Sequence, residues 1–252
     1  MASSDTVKLE RRGAVALITL NRPAARNAIN VELCTAFCDA LAAAQDARCI
    51  VITGHDPAFC AGLDLKNLGT DRLADLPSYA RALEGSRVPL IAAVNGAAVT
   101  GGFEIALGCD FIVASERAVF ADTHMRVGVY PGPVLVDLPR RIGMAWAREM
   151  SLSGNFVDAA TALRIGLANH VTPHEALLPF ALELAGQIAE ADPAMVSAMR
   201  ADWDANAGAP VAEARRIHAQ HAIGGGFTHS RGADIAGRRE AVLARSRDQR
   251  SG

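Results

Sequence analysis

Two stretches of small residues are places where the backbone itself could do chemistry. The first is AFCAGLDL, Ala58 to Leu65, where Ala61 and Gly62 leave a bend with almost no side chain. The second is NGAAVTGGFEIALGCD, Asn95 to Asp110. At such bends a backbone N–H can face a ligand directly. Two of them at strand ends could form an oxyanion hole, which stabilises negative charge on a carbonyl oxygen.

Both bends follow apolar runs that must position them. RCIVITG, Arg48 to Gly54, reads as a buried strand closed by Gly54, and HDPA reads as a turn. PLIAAVN, Pro89 to Asn95, is a second buried strand. Upstream, VKLERRGAVALITLN predicts two strands around a turn at Arg12–Gly13. Asn30 is placed to cap a helix, with Glu32 in its first turn. Cys34, Phe37, Cys38 and Leu41 then fall on one face of that helix, which is expected to run to Ala47. Strand, helix and strand in this order imply parallel pairing with a right-handed crossover.

The second bend opens a helix at Gly101 and Gly102, with Glu104 in its first turn. An acid there complements the helix dipole, although the run around it is strongly apolar. Lys66 to Ser86 is polar, with a helix expected in its second half, where Leu68, Leu73 and Leu76 read as helix core. Short strands follow Asp110, with a turn at Ser115–Glu116. Pro133 suits the first position of a helix running through Arg141, and Gly143 ends it. Further helices are expected from Met144 to Leu152, from Asp158 to Gly166, from His174 onward, and from Pro193 past Met199 and Trp203. Ala222 to Asp234 is Gly-rich and reads as a loop or joint.

Composition narrows the classes. The 252 residues are 50% hydrophobic, enough for one large domain or a domain with an extension. A net charge of -2 does not suit a nucleic-acid binder, and the arginines from Arg238 to Arg250 read as a solvated helix and tail. The odd number of cysteines, Cys34, Cys38, Cys49, Cys60 and Cys109, argues for a reducing compartment. MASSDTVKLE lacks the basic and apolar regions of a signal peptide, and no apolar run reaches membrane-spanning length. A soluble, cytoplasmic protein with no membrane partner is expected. The sequence gives no sign of a metal site, a P-loop or a Ser/His/Asp nucleophile.

The two bends and their neighbours together resemble the crotonase superfamily, also called the enoyl-CoA hydratase/isomerase family. NRPAARNAI (Asn21 to Ile29), FCAGLDL (Phe59 to Leu65), NGAAVTGGFEIALGCD, FADTHMRVGVYPG (Phe120 to Gly132) and SLSGNFVDAATALRIGLANHV (Ser151 to Val171) occur in the family's order and approximate spacing. The resemblance implies an α/β, crotonase-like spiral of strand-strand-helix units with a helical C-terminal extension. Residues 1–192 would form the acyl-CoA-binding core and 193–252 a helical trimerisation or lid region. It also implies an acyl-CoA substrate, no cofactor beyond the coenzyme A of that substrate, and a homotrimer or dimer of trimers.

Carried over position by position, the oxyanion donors would be the N–H groups of Leu63 and Gly101. Arg26, Ala28, Ala61, Gly62, Leu63, Gly101 and Gly132 would lie along the coenzyme A and acyl site, where Arg22 or Arg26 could meet phosphates. Asp64 matches the acid that stabilises the loop. Glu104 falls on the first of two catalytic glutamates, as general base. The second position holds His124 in this chain, with Asp122 two residues before it. If both stand on one strand they share a face, and Asp122 could orient the imidazole. The family's P-G-x-G-G loop is replaced by Pro131, Gly132, Pro133, Val134 and Leu135. The expected reaction is hydration of a trans-2-enoyl-CoA, in fatty acid metabolism, with Glu104 as base and His124 as acid. The alternatives are another reaction on an acyl-CoA (isomerisation, hydrolysis or decarboxylation) or acyl-CoA binding without turnover.

Overall fold

The computed structural model describes residues 5–64, 75–224, 239 and 243. Residues 65–74 and most of the chain beyond Gly224 lie outside the described residues. So do Leu68, Leu73, much of the Gly-rich joint and all but Arg239 of the terminal arginines.

The chain opens with β1 (Val7–Arg12) and β2 (Val15–Leu20), an antiparallel pair turning through Gly13 at φ +63. Helix α1 (Val31–Ala43) follows, with the Asn30 side chain accepting from the Leu33 N–H at its cap. It stops at Ala43, short of the expected Ala47, because the chain tightens through turns at Ala44 to Ala47. Then come β3 (Cys49–Gly54), β4 (Ala58–Cys60), α2 (Tyr79–Glu84), β5 (Leu90–Val94) and β6 (Ala97–Val99). Helix α3 (Gly101–Leu107), β7 (Phe111–Ser115) and β8 (Val119–Ala121) lead to the short α4 (His124–Val127). The remainder comprises α5 (Val134–Ile142), α6 (Met144–Ser153), β9 (Val157–Asp158), α7 (Ala159–Arg164), β10 (His170–Thr172), α8 (Leu177–Ala189), α9 (Pro193–Asn206) and α10 (Val211–Gly224).

Among the described residues the strands form two sheets. One has the order β1-β2-β3-β5-β7-β10, parallel from β2 onward; the other has the order β4-β6-β8-β9. The middle of the larger sheet is covered on both faces, which explains why its strands read as continuous apolar runs rather than alternating ones. Ile18, Ile50 and Ile52 face Leu33, Phe37 and Phe103. Val51 and Ile91 on the opposite face meet α8 through Ala181, Ala185 and Ala189, a stripe of small residues at helical spacing. The pattern agrees with the α/β, crotonase-like expectation.

Some local expectations are corrected. Pro133 is the cap of α5 rather than its first residue, and Pro139 stands inside that helix. His174 to Ala176 form a 3-10 turn before α8 begins. Cys38 is only half-buried, while Cys34, Phe37 and Leu41 are core. Leu76 packs against the core from a loop, not from a helix. All five cysteines are free thiols.

The chain divides into two compact units, Met1–Pro193 and Ala194–Gly252. In the second, Met199 and Trp203 are exposed, and His218 pairs with Asp202 at 2.5 Å. No helix among the described residues is long and apolar enough to cross a membrane.

Candidate active site

The site is built where β4 and β6 end beside one another. β4 delivers Ala61, Gly62 and Leu63, and β6 delivers Thr100 and the start of α3. Gly62 takes φ +87, and a Cβ there would stand 1.9 Å from Thr100 Oγ1 and 2.8 Å from Val99 O. A Cβ on Gly102 would stand 2.1 Å from Cys60 O. Only glycine allows the two bends to touch this closely.

The NRPAARNAI loop holds the first bend from outside. The Ala61 N–H donates to Arg26 O at 3.0 Å, the Ile29 N–H to Gly62 O at 2.7 Å, and the Asp64 N–H to Ile29 O at 2.8 Å. These bonds bypass the Leu63 N–H, although Leu63 pairs with Ile29 in a parallel bridge. Gly101 is the first residue of α3, so its N–H has no acceptor within the helix. Two main-chain donors at adjoining bends can stabilise charge developing on a carbonyl oxygen.

Arg22 is turned inward. Its guanidinium donates to Ala28 O at 2.5 Å and to Asp64 Oδ2 at 3.2 Å, which commits it to the loop rather than to a phosphate. Asp64 thus stabilises the loop, and Arg26 is the exposed arginine there. Arg26, Ala28, Ala61, Gly62 and Leu63 are brought together by these bonds. The knot beneath them is Asn27, fully buried at φ +56, whose Nδ2 donates to His55 O, Ala58 O and Phe59 O while Oδ1 accepts from the Arg22 N–H.

Glu104 lies in the first turn of α3 and is 5% exposed. Tyr79 Oη donates to its Oε2 at 2.5 Å. Its Oε1 faces Gly132, where a Cβ would stand at 2.9 Å, and receives the Val134 N–H at 3.4 Å. The altered Pro131–Leu135 loop therefore still turns main chain toward the carboxylate. Burial, with the Glu104 charge and hydrogen bond behind it, pushes the Tyr79 phenol well above its ordinary range, so it stays a donor.

His124 and Asp122 do not share a strand face. β8 ends at Ala121, Asp122 lies in the following turn, and His124 opens α4. The pair meets nevertheless: His124 Nδ1 and Asp122 Oδ1 are 2.6 Å apart, and both residues are buried. Burial works against ionising either partner. In Asp122 the hydrogen bond of His124, with the Ser151 hydroxyl nearby, outweighs it and holds the carboxyl below its usual value. In His124 the bond to Asp122 and the negative charge of Glu104 outweigh it and raise the imidazole's pKa. An imidazolium held by a buried carboxylate can donate and recover a proton.

Tyr79 escaped the sequence reading. It is one of only two tyrosines in the chain and follows Ser78, which caps α2 by accepting the Arg81 N–H. A lone phenol at the start of an Ala- and Leu-rich helix was the available signal. Asn27 was hidden in a loop whose arginines drew attention instead.

A family sequence profile described as enoyl-CoA hydratase/isomerase matches residues 10–236. A probable enoyl-CoA hydratase of Rhizobium meliloti is 42% identical over 196 residues, covering 74% of this chain and 76% of that protein. The 2,3-dehydroadipyl-CoA hydratase of Escherichia coli is 38% identical over 201 residues, covering 76% and 79% respectively. The crystal structure of an enoyl-CoA hydratase subunit from Geobacillus kaustophilus matches at a TM-score of 0.85 with 30% identity, covering 94% of this chain and 97% of that one. Fold, ordered motifs and relatives agree, and the chain belongs to the enoyl-CoA hydratase/isomerase family.

Proposed function

We propose that this protein adds water across the double bond of a trans-2-enoyl-CoA, with a carboxylate and an imidazolium in place of two carboxylates. The observation that carries the reading is the Asp122-bound His124 held near the buried Glu104. The thioester oxygen would lie between the N–H groups of Leu63 and Gly101. Glu104 takes a proton from water while the hydroxyl bonds to the β-carbon, and the electron pair of the double bond moves to the thioester as an enolate held by the two donors. His124 then delivers its proton to the α-carbon, and the proton on Glu104 passes to His124 to restore the pair. Asp122 fixes the ring by holding Nδ1, which leaves Nε2 for the transfer. Water and the acyl-CoA balance this reaction, so no further cofactor is invoked.

Coenzyme A would run along Arg26, Ala28 and Ala61, beside the Gly62 bend. The exposed apolar side chains of Met125, Val136, Met144 and Leu152 on α4–α6 support the trimer or dimer-of-trimers reading, and light scattering of the purified protein tests it. A cytoplasmic location is in keeping with a coenzyme A thioester substrate.

The deciding experiment is hydration of crotonyl-CoA and of a longer trans-2-enoyl-CoA by wild type, Glu104→Gln and His124→Ala, with saturated acyl-CoA binding measured on the same samples. Loss of about 10²–10⁴-fold in kcat for Glu104→Gln with retained binding is expected. Binding without turnover by the wild type would sink the hydratase reading.

A further inference from the structure

The Glu104 carboxylate has two unlike ends. Oε2 is taken by the Tyr79 phenol at 2.5 Å. Oε1 points to the bare Cα of Gly132 and the Val134 N–H. The same phenol borders the second main-chain donor: a Cβ on Gly101 would stand 3.1 Å from Tyr79 Oη and 3.0 Å from Ile29 Cδ1. Tyr79 therefore touches both the residue that would hold the oxyanion and the one that would take the proton from water.

We propose that Tyr79 is a positioning residue of the hydration site, which ties down Oε2 of Glu104 so that Oε1, on the Gly132 side, is the oxygen that meets water. This rests on the hydratase reading for its consequence in catalysis, but its physical content is a hydrogen bond that can be read separately. Without that bond the Glu104 side chain can rotate, and either oxygen can face the pocket.

The test is Tyr79→Phe, which keeps the ring and removes the donor. We expect kcat for enoyl-CoA hydration to fall on the order of tenfold or more while KM and saturated acyl-CoA binding stay within about threefold. In the Glu104→Gln background the same change should add little, since the two residues act as a unit. Infrared spectroscopy of the carboxyl bands, with the Glu104 band assigned by its loss in Glu104→Gln, supplies a readout independent of turnover. The Glu104 carboxylate band should move in frequency in Tyr79→Phe, as Oε2 loses its donor, even if the wild type hydrates nothing, an outcome that removes the hydratase reading and leaves the positioning role standing. An unshifted band overturns the proposal, as does a Tyr79→Phe enzyme with wild-type kcat. Should Tyr79→Phe fail to fold, 3-fluorotyrosine at position 79 provides a stronger donor of nearly the same shape, and the Glu104 carboxylate band must then change in frequency, an unchanged band overturning the proposal.

Discussion

His124 Nδ1 lies 2.6 Å from Asp122 Oδ1 although neither residue stands on a strand. The turn after β8 brings the carboxylate under the first residue of α4, and Ser151 of α6 sits beside it. A sequence separation of two usually argues for a shared strand face; here a bend achieves the same meeting.

The first consequence concerns pH. Burial favours the neutral ring, but the Asp122 bond and the Glu104 charge outweigh it, so His124 keeps its proton above the ordinary imidazole range. Hydration should stay active through neutrality and decline on the alkaline side as His124 deprotonates. Asp122→Asn weakens the hold on the proton, so its alkaline limb should move to lower pH. Profiles of kcat for the two proteins check this, and coincident limbs would exclude His124 as the acid.

The same pair links stability to pH. His124 has a raised folded pKa, so its contribution is complete below its unfolded value and is lost as pH rises through the folded one. Asp122 has a depressed folded pKa, so its contribution is complete above its unfolded value and is lost as pH falls through the folded one. Both are complete between roughly pH 4 and 6.5. The Tm difference between wild type and Asp122→Asn should be largest in that window and shrink on either side. A pH-independent difference would mean that the pair does not titrate as described.

Gly132→Ala tests the space in front of Glu104. Gly132 has no positive φ to lose, but the new methyl would stand 2.9 Å from Oε1. Because Tyr79 restrains the other oxygen, the carboxylate has little room to retreat. We expect kcat to fall about tenfold or more, as when a proton-transfer group is displaced, with a near-wild-type Tm. A fully active variant would place the attacking water elsewhere.

Gly62→Ala should fail differently. It combines a left-handed backbone with a methyl 1.9 Å from Thr100 Oγ1. Strain of this kind costs about 1–3 kcal/mol before the clash is added. Thermal melts and acyl-CoA binding should both deteriorate, unlike the selective loss expected at Gly132. A stable variant that binds normally would show that the two bends need not touch.

Asn27→Ala removes no group from the pocket, yet it strips buried carbonyls of donors and leaves alanine at φ +56. The cost should be about 2–4 kcal/mol, a fall in Tm of roughly 5–15 °C. A melt within about 2 °C of wild type would deny Asn27 its place as the loop's anchor.

Much of the site was legible because it is made from backbone punctuation. Gly62, Gly101 and Gly132 announce bends, and β3 and β5 announce themselves as apolar runs that end where the bends begin. The Asn30 cap and the Glu104 first turn follow local rules of helix formation and appear as expected. Tyr79 and Ser151 were not legible, because each reaches its partner through tertiary packing that no local pattern encodes. Arg22 shows the limit of reading by type: on paper it is an exposed loop arginine that could also meet a phosphate, and in the fold Asp64 and Ala28 O already occupy its guanidinium. The ends of α1 and α5 were each misplaced by a few residues at most, where helices loosen into turns.

The N–H groups of Leu63 and Gly101 belong to the main chain, so no ordinary codon change at position 104, 124 or 79 can delete them. At position 63 itself only proline lacks the hydrogen. Side chains at 104, 124 and 79 can therefore be exchanged one at a time without removing either N–H. Position 124 is such an exchangeable site: its histidine is held by Asp122 and not by either of the two bends.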